Sequence, residues 1–236
     1  LPLKQEELSI HGHAIEARVY AEDSFHGFLP QAGTASVVQW PTGVRVDQAL
    51  ISGQEVSTAY DPMLGKIIAY GPDRESARQR LIAALERTAI LGLTTNTGFL
   101  RELVASDAFA AAEIDTTWLD RHQVPESENE IPRIIAAWAS AEAIAAQEGT
   151  HPFRADGWRS GGPPAPMVIE LDRPVPVDLH QGRVDDCEVR PLATDGGCWI
   201  SLEVAGERHT AVVAVGQHRT EVAYHGQRWV FERPDV

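Results

Sequence analysis

The run IPRIIAAWASAEAIAAQE, beginning at Ile131, restricts the fold of this chain more than any other stretch. In a helix built from it, apolar or small residues occupy almost every direction around the axis; Arg133 and Glu148 lie near the ends and Glu142 is the main interruption. A helix that is apolar all round is buried all round. The apolar part, from Ile134 to Ala146, is too short to cross a bilayer, which takes about 20 residues. Protein must therefore surround it, and its many alanines let surrounding backbone approach closely.

The chain supplies such a sleeve next. After the Gly/Pro stretch WRSGGPPAP come short alternating segments: MVIELD, VPVDLH, RVDDCEVRPL, CWISLEV, RHTAVVAV, HRTEVAY and RWVFE. Turns at Asp195-Gly196-Gly197, Ala205-Gly206-Glu207 and His225-Gly226-Gln227 have the length of hairpin loops. Seven or eight strands in a row, at about ten-residue spacing, predict an up-and-down antiparallel barrel. Residues 131–236 are thus expected to form a β-barrel around a central helix over 131–148.

The first half reads differently. From Ile10 to about Tyr70, HAIEARVYA, GTASVVQW, VRVDQALI and KIIAYG alternate between Gly- and Pro-containing turns, which predicts one sheet of four antiparallel strands. Asp73 can cap a helix over RESARQRLIAALERTAI, in which Ala77, Leu81, Ala84, Leu85 and Ala89 recur at helical spacing and which Gly92 should stop. A second helix, NTGFLRELVAS, follows, and DTTWLDRH closes the unit. The fold class is α+β: an antiparallel sheet with helices over 1–122, a linker at 123–130 (QVPESENE), then the barrel.

Charge and cysteines exclude several classes. The formal net charge of −14 is shared by both halves, with 10 basic and 16 acidic residues in 1–125 and 10 and 18 in 126–236, so neither a nucleic-acid footprint nor a polybasic membrane patch is expected. No run of about 18 apolar residues exists, and LPLKQEEL has neither an initiator Met nor a signal-peptide core, so the chain reads as cut from something longer. Cys187 and Cys198 are too far apart for a C-x-x-C clip, the nine histidines are scattered, and no metal site is expected.

In HGHAIEARVYAED, alternation sends Glu16, Arg18 and Tyr20 to one side of a strand and Ala17, Val19 and Ala21 to the other. Taken alone, E-x-R reads as a surface ion pair, worth at most about 1 kcal/mol. The wider pattern HGHAIEARVYAED…FLPQAGTASVVQWPTGVRVDQALISGQEV…YDPMLGKIIAYG…LGLTTNTGFLREL closely resembles the C-terminal domain of biotin carboxylase, as found in the α subunits of biotin-dependent acyl-CoA carboxylases. Residues 126–236 resemble, by position and pattern, the BT domain that joins the α subunit to the β subunit, a β-barrel around a central helix in propionyl- and methylcrotonyl-CoA carboxylases.

The resemblance implies a chemistry: ATP and bicarbonate yield carboxyphosphate, CO2 is released, and N1′ of biotin is carboxylated. It makes Arg18 the catalytic arginine that stabilises the enolate of the biotin ureido group. A fixed guanidinium is favoured most when that negative charge appears, and it stays charged at any working pH. Glu16 and Glu22 are both plausible orienting partners. Asp61 and Lys66 of YDPMLGK are active-site support, Asp61 by ordering the wall; for Lys66 a structural ion pair is an equal alternative. Arg45 matches a homodimer contact of the bacterial single-function enzyme, whose adjacent aromatic is replaced by Thr42, and Thr116 lies near the position that touches the adenine of the nucleotide.

The resemblance also implies what lies elsewhere. There is no Gly-rich phosphate loop and nothing like the E-x-N-x-R-x-Q-V-E-H segment of the family, so ATP, Mg2+ and bicarbonate would be bound mainly by upstream residues. The two lysines, Lys4 and Lys66, are not in a Met-Lys-Met setting, so biotin would sit on a separate carrier domain. The segment alone is expected to be inactive. Its expected partners are a carboxyltransferase β subunit, the biotin carrier domain and other α subunits. The expected location is cytoplasmic in a bacterium and the mitochondrial matrix in a eukaryote. Acetyl-, propionyl- and methylcrotonyl-CoA are all open as acceptors. The alternative function is a non-catalytic assembly module that grips a carboxyltransferase subunit. Pyruvate carboxylase would share residues 1–122 but continue into metal-binding motifs that do not appear.

Overall fold

The computed structural model describes residues 4–59, 61–146, 161, 165–193 and 198–233. The chain divides into two compact units: Leu1–Thr88 with Leu93–Glu126, and Ala89–Gly92 with Ser127–Val236. Tyr60 of YDPMLGK, the turn at Asp195–Gly197 and all of WRSGGPPAP except Gly161, Ala165 and Pro166 lie outside the described residues.

The first unit opens with β1 (His13–Tyr20), β2 (Glu22–Asp23), β3 (Leu29–Pro30), β4 (Gly33–Ala35), β5 (Val37–Gln39), β6 (Arg45–Gln48), β7 (Gln54–Val56) and β8 (Met63–Gly71). An antiparallel sheet forms in the order β1-β8-β6, and three strands make it rather than the expected four. GTASVVQW breaks at Ser36, and its first part pairs with β7 as a separate ribbon. Ala35 and Val38 are both buried, which a straight strand would send to opposite faces; the break lets both reach the interior.

One face of the three-stranded sheet carries Ala17, Val19, Ile67 and Ala69, all buried, and packs on α1 (Arg74–Glu86) through Leu81 and Leu85. Asp73 caps α1 as expected: its carboxylate accepts from the Ser76 N–H at 2.7 Å, which holds its pKa below the usual range. A Cβ on Gly71 would lie 2.5 Å from the Ala77 nitrogen, so a glycine lets the helix begin this close to its strand. The helix stops at Glu86, earlier than its spacing suggests, because Ala89–Leu91 forms β9, buried at every residue. A short run of buried apolar residues fits either periodicity. The unit is completed by α2 (Thr97–Ala105), α3 (Asp107–Ala110) and a 3-10 turn at Trp118–Asp120. Buried Arg78 ties α1 to the end of α2 by donating to the Val104 carbonyl at 2.9 Å.

The second unit contains α4 (Glu130–Ala145), β10 (Met167–Glu170), β11 (Pro174–Asp178), β12 (Arg183–Val184), β13 (Cys187–Leu192), β14 (Trp199–Val204), β15 (Glu207–Val215), β16 (Arg219–Tyr224) and β17 (Gln227–Glu232). These eight strands pair antiparallel in chain order and curl round α4 as a half-barrel. RVDDCEVRPL yields two of them, because the chain turns at Asp185 with φ 49°. Ala205-Gly206 and His225-Gly226 are two-residue hairpin loops with positive φ at both positions, the type I′ geometry that matches strand twist.

Most of α4 is buried over its middle turns: Ile134, Ile135, Ala136, Ala137, Trp138, Ser140 and Ala141 are buried among Val175, Val177, Leu202, Val222 and Phe231. Burial is not uniform around the axis, since Ala139 and Ala143 are half-buried and Glu142 is exposed. Outside the apolar contacts, Ser140 Oγ meets Thr220 Oγ1 at 3.0 Å, and Arg133 grips Asp172 through Nε and Nη2 at 3.0 and 2.7 Å. Strand β16 is buried on its other face too, where β9 packs and the Gly92 N–H donates to Glu221 Oε2 at 2.8 Å. Burial raises the pKa of Glu221, but the Arg228 guanidinium at 2.6 Å, the Gly92 N–H and Arg219 together hold it below the usual range. Among the described residues no helix is long and apolar enough to cross a membrane.

Candidate active site

Register places the candidate residues together. Across the sheet Arg18 pairs with Lys66 and Lys66 with Asp47, while Glu16 and Arg45 both stand opposite Ile68. Because these positions alternate with buried Ala17, Val19 and Ile67, their side chains project from the face that α1 leaves uncovered. Three cations and two carboxylates thus form one row over three strands.

Arg18 is held at one end of its guanidinium. Its Nε donates to Glu16 Oε1 at 3.0 Å, and both side chains remain solvent-accessible, at 59% and 39%. The hydrogen bond to Glu16, then that to Tyr20, raises the pKa of Arg18. Glu22 instead accepts from Ser24 Oγ at 2.9 Å, so of the two possible orienting carboxylates it is Glu16 that engages the arginine. On β6, Arg45 grips Asp47 through two bonds of 3.1 and 2.9 Å, which hold the Asp47 pKa down with help from the Lys66 charge. Lys66 itself forms no ion pair among the described residues, so the structural pairing considered for it is not made there. Gly65, its neighbour, sits under Trp40: a Cβ would approach that ring to 3.0 Å and the Asp47 carbonyl to 3.1 Å.

Asp61 and Thr116 lie apart from the row. Asp61 Oδ1 accepts from the Met63 N–H at 2.9 Å and so shapes the turn into β8. Thr116 is in an exposed turn and has no hydrogen bond to the row among the described residues. Arg45 is exposed on the edge strand β6.

One residue near Arg18 escapes sequence reading. Asn96 is 5% exposed; its Nδ2 donates to the Arg18 carbonyl at 3.0 Å, its Oδ1 accepts from the Tyr20 N–H at 2.9 Å, and its own N–H donates to the Tyr20 carbonyl at 3.2 Å. Before TGFL, an asparagine reads as a helix cap, and it does occupy that position, but its side chain makes no capping bond.

Two family models divide the chain between them. The biotin carboxylase C-terminal domain matches residues 16–121, and the BT domain of the methylcrotonyl-CoA carboxylase alpha-subunit matches residues 132–236. The chain belongs to the α-subunit family of biotin-dependent acyl-CoA carboxylases. This carboxylase segment is 41% identical over 126 residues to the mitochondrial methylcrotonoyl-CoA carboxylase subunit alpha of Dictyostelium discoideum, covering 52% of the chain and 18% of that relative. It is 42% identical over 120 residues to the mitochondrial propionyl-CoA carboxylase alpha chain of Homo sapiens (49% and 16%) and 35% over 159 residues to urea amidolyase of Saccharomyces cerevisiae (67% and 8%). It therefore spans less than a fifth of the length of these relatives. Among solved structures, the biotin carboxylase domain dimer of Hydrogenobacter thermophilus 2-oxoglutarate carboxylase, in complex with MgADP, ADP and bicarbonate, is similar at 32% identity and TM-score 0.52, covering 54% of this chain and 29% of that one. The biotin carboxylase subunit of pyruvate carboxylase is similar at 33% identity and TM-score 0.51, with the same coverage.

Proposed function

We propose that this segment contributes to ATP- and bicarbonate-dependent carboxylation of biotin within an acyl-CoA carboxylase α subunit, with Arg18 as the donor to the biotin ureido oxygen. The observation that supports this reading is the row on the uncovered sheet face: an accessible guanidinium, fixed at Nε by Glu16, with the Lys66 ammonium on the facing strand. When N1′ loses its proton, charge develops on the ureido oxygen, and a donor already in place needs little reorganisation to meet it. Asp61 orders the turn that leads into Lys66. Thr116 is assigned to the adenine end of the nucleotide and Arg45 to a contact with another α subunit. ATP, Mg2+ and bicarbonate fall to residues outside this segment.

The test uses the full-length protein that carries this segment. With ATP, bicarbonate and free biotin it should release ADP and label biotin from labelled bicarbonate; a folded protein that does neither would remove the reading. The second unit is assigned to assembly with a carboxyltransferase β subunit, supported by its match to the BT domain. Co-purification of that subunit, followed by assay with acetyl-, propionyl- and methylcrotonyl-CoA, identifies the acceptor.

A further inference from the structure

We infer that Asn96 is a positioning residue for Arg18, setting the guanidinium by holding the strand backbone from which it projects. The inference rests on the assignment of Arg18 to the biotin oxyanion. In the order β1-β8-β6, β1 is an edge strand, so one side of its backbone has no neighbouring strand in that sheet. Residues two apart in a strand present their N–H and C=O groups to the same edge. The Arg18 carbonyl and both backbone groups of Tyr20 all meet Asn96, which therefore stands in for a missing strand with three hydrogen bonds.

The place where this happens matters. On its other side β1 is held by β8, but there the register shifts between Val19 and Tyr20: Val19 faces Gly65 and Tyr20 faces Met63, so Leu64 is left over. Such a bulge bends the ladder and re-aims side chains. Arg18 lies one residue before the irregular step, and its carbonyl and the Tyr20 N–H just after the step are fixed from the opposite edge by a single buried amide. Glu16 orients the guanidinium from the side-chain end; Asn96 sets its base. The diversion of Asn96 from helix capping fits this use, since its amide bonds to β1 and makes no bond to the α2 amides.

The experiment is a double-mutant cycle in the full-length carboxylase with free biotin. Asn96→Ala removes all side-chain bonds, and isosteric Asn96→Asp keeps the acceptor for Tyr20 but lacks the donor for Arg18; the second carries the test if the first does not fold. Each is expected to lower kcat by about 10–10²-fold, the scale of an ångström-level misplacement, with the KM for biotin unchanged. In an Arg18→Ala background the same change is expected to cost less than about twofold, because residues that act through one another are non-additive. An equal loss in both backgrounds, or a loss confined to KM, overturns the role of Asn96 and leaves that of Arg18 standing. Normal carboxylation by Arg18→Ala overturns the reading of Arg18 itself, and that of Asn96 with it.

Discussion

Ser140 on α4 and Thr220 on β16 meet hydroxyl to hydroxyl at 3.0 Å, both fully buried, within an otherwise apolar contact. A polar pair at such a place matters most when one member is removed. Ser140→Ala strands the Thr220 hydroxyl and is expected to cost about 1–3 kcal/mol, while Ser140→Ala with Thr220→Val should return toward the parent. Urea unfolding of the three proteins measures this; a double variant as unstable as the sum of its parts would mean that the pair does not act as a unit.

Charge placed inside the half-barrel should be costlier. Ala137 is completely buried, so Ala137→Glu is expected to destabilise the second unit by about 3–5 kcal/mol, the scale for an unpaired buried charge. Ala143→Glu, beside exposed Glu142, should cost less. Equal melting temperatures for the two variants would contradict the observed seating of the helix.

Arg18→Ala is expected to slow biotin carboxylation by about 10²–10³-fold, the usual effect of losing one oxyanion donor. Arg18→Lys should recover little of it, because a flexible ammonium does not reproduce the planar guanidinium held by Glu16. Initial rates with free biotin decide the matter, and a fully active lysine variant would reduce the requirement to charge alone.

The second unit should lose stability in mild acid through His209, whose Nδ1 lies 2.8 Å from the Tyr224 hydroxyl. Burial pushes the His209 pKa down, against the opposing charge of Glu207. The folded state thus prefers the neutral ring, while the unfolded chain takes up its proton near about pH 6.5. The contribution is complete above that pH and is lost as pH falls toward the lower folded value. Thermal melts of the parent should shift more between neutral and mildly acid buffer than those of His209→Gln; parallel shifts would assign the dependence elsewhere.

What the sequence disclosed follows the range of the interactions involved. Ala205-Gly206 and His225-Gly226 declare their turns because backbone conformation is a local property, and strand alternation around them is local too. The apolar helix announces its need for a sleeve, although how far the sleeve curls depends on packing among eight strands. The strand at Ala89–Leu91 hid within helical spacing, and GTASVVQW hid a bend, because each is decided by what lies against it. Glu16, Arg18 and Lys66 were proposed through their motifs. Asn96 was not, since its partners Arg18 and Tyr20 precede it by 78 and 76 residues and its position imitates a cap.

The bond between Gly92 and Glu221 reaches across 129 positions of the sequence, and four residues from within the first half, Ala89–Gly92, complete the second unit. The halves are therefore interleaved rather than strung in series. A cassette exchange between related chains that transferred 127–236 alone would seat a foreign β16 against the resident Ala89–Gly92. Hybrids should be selected by whether that small junction still fits, which makes it a compatibility filter on recombination.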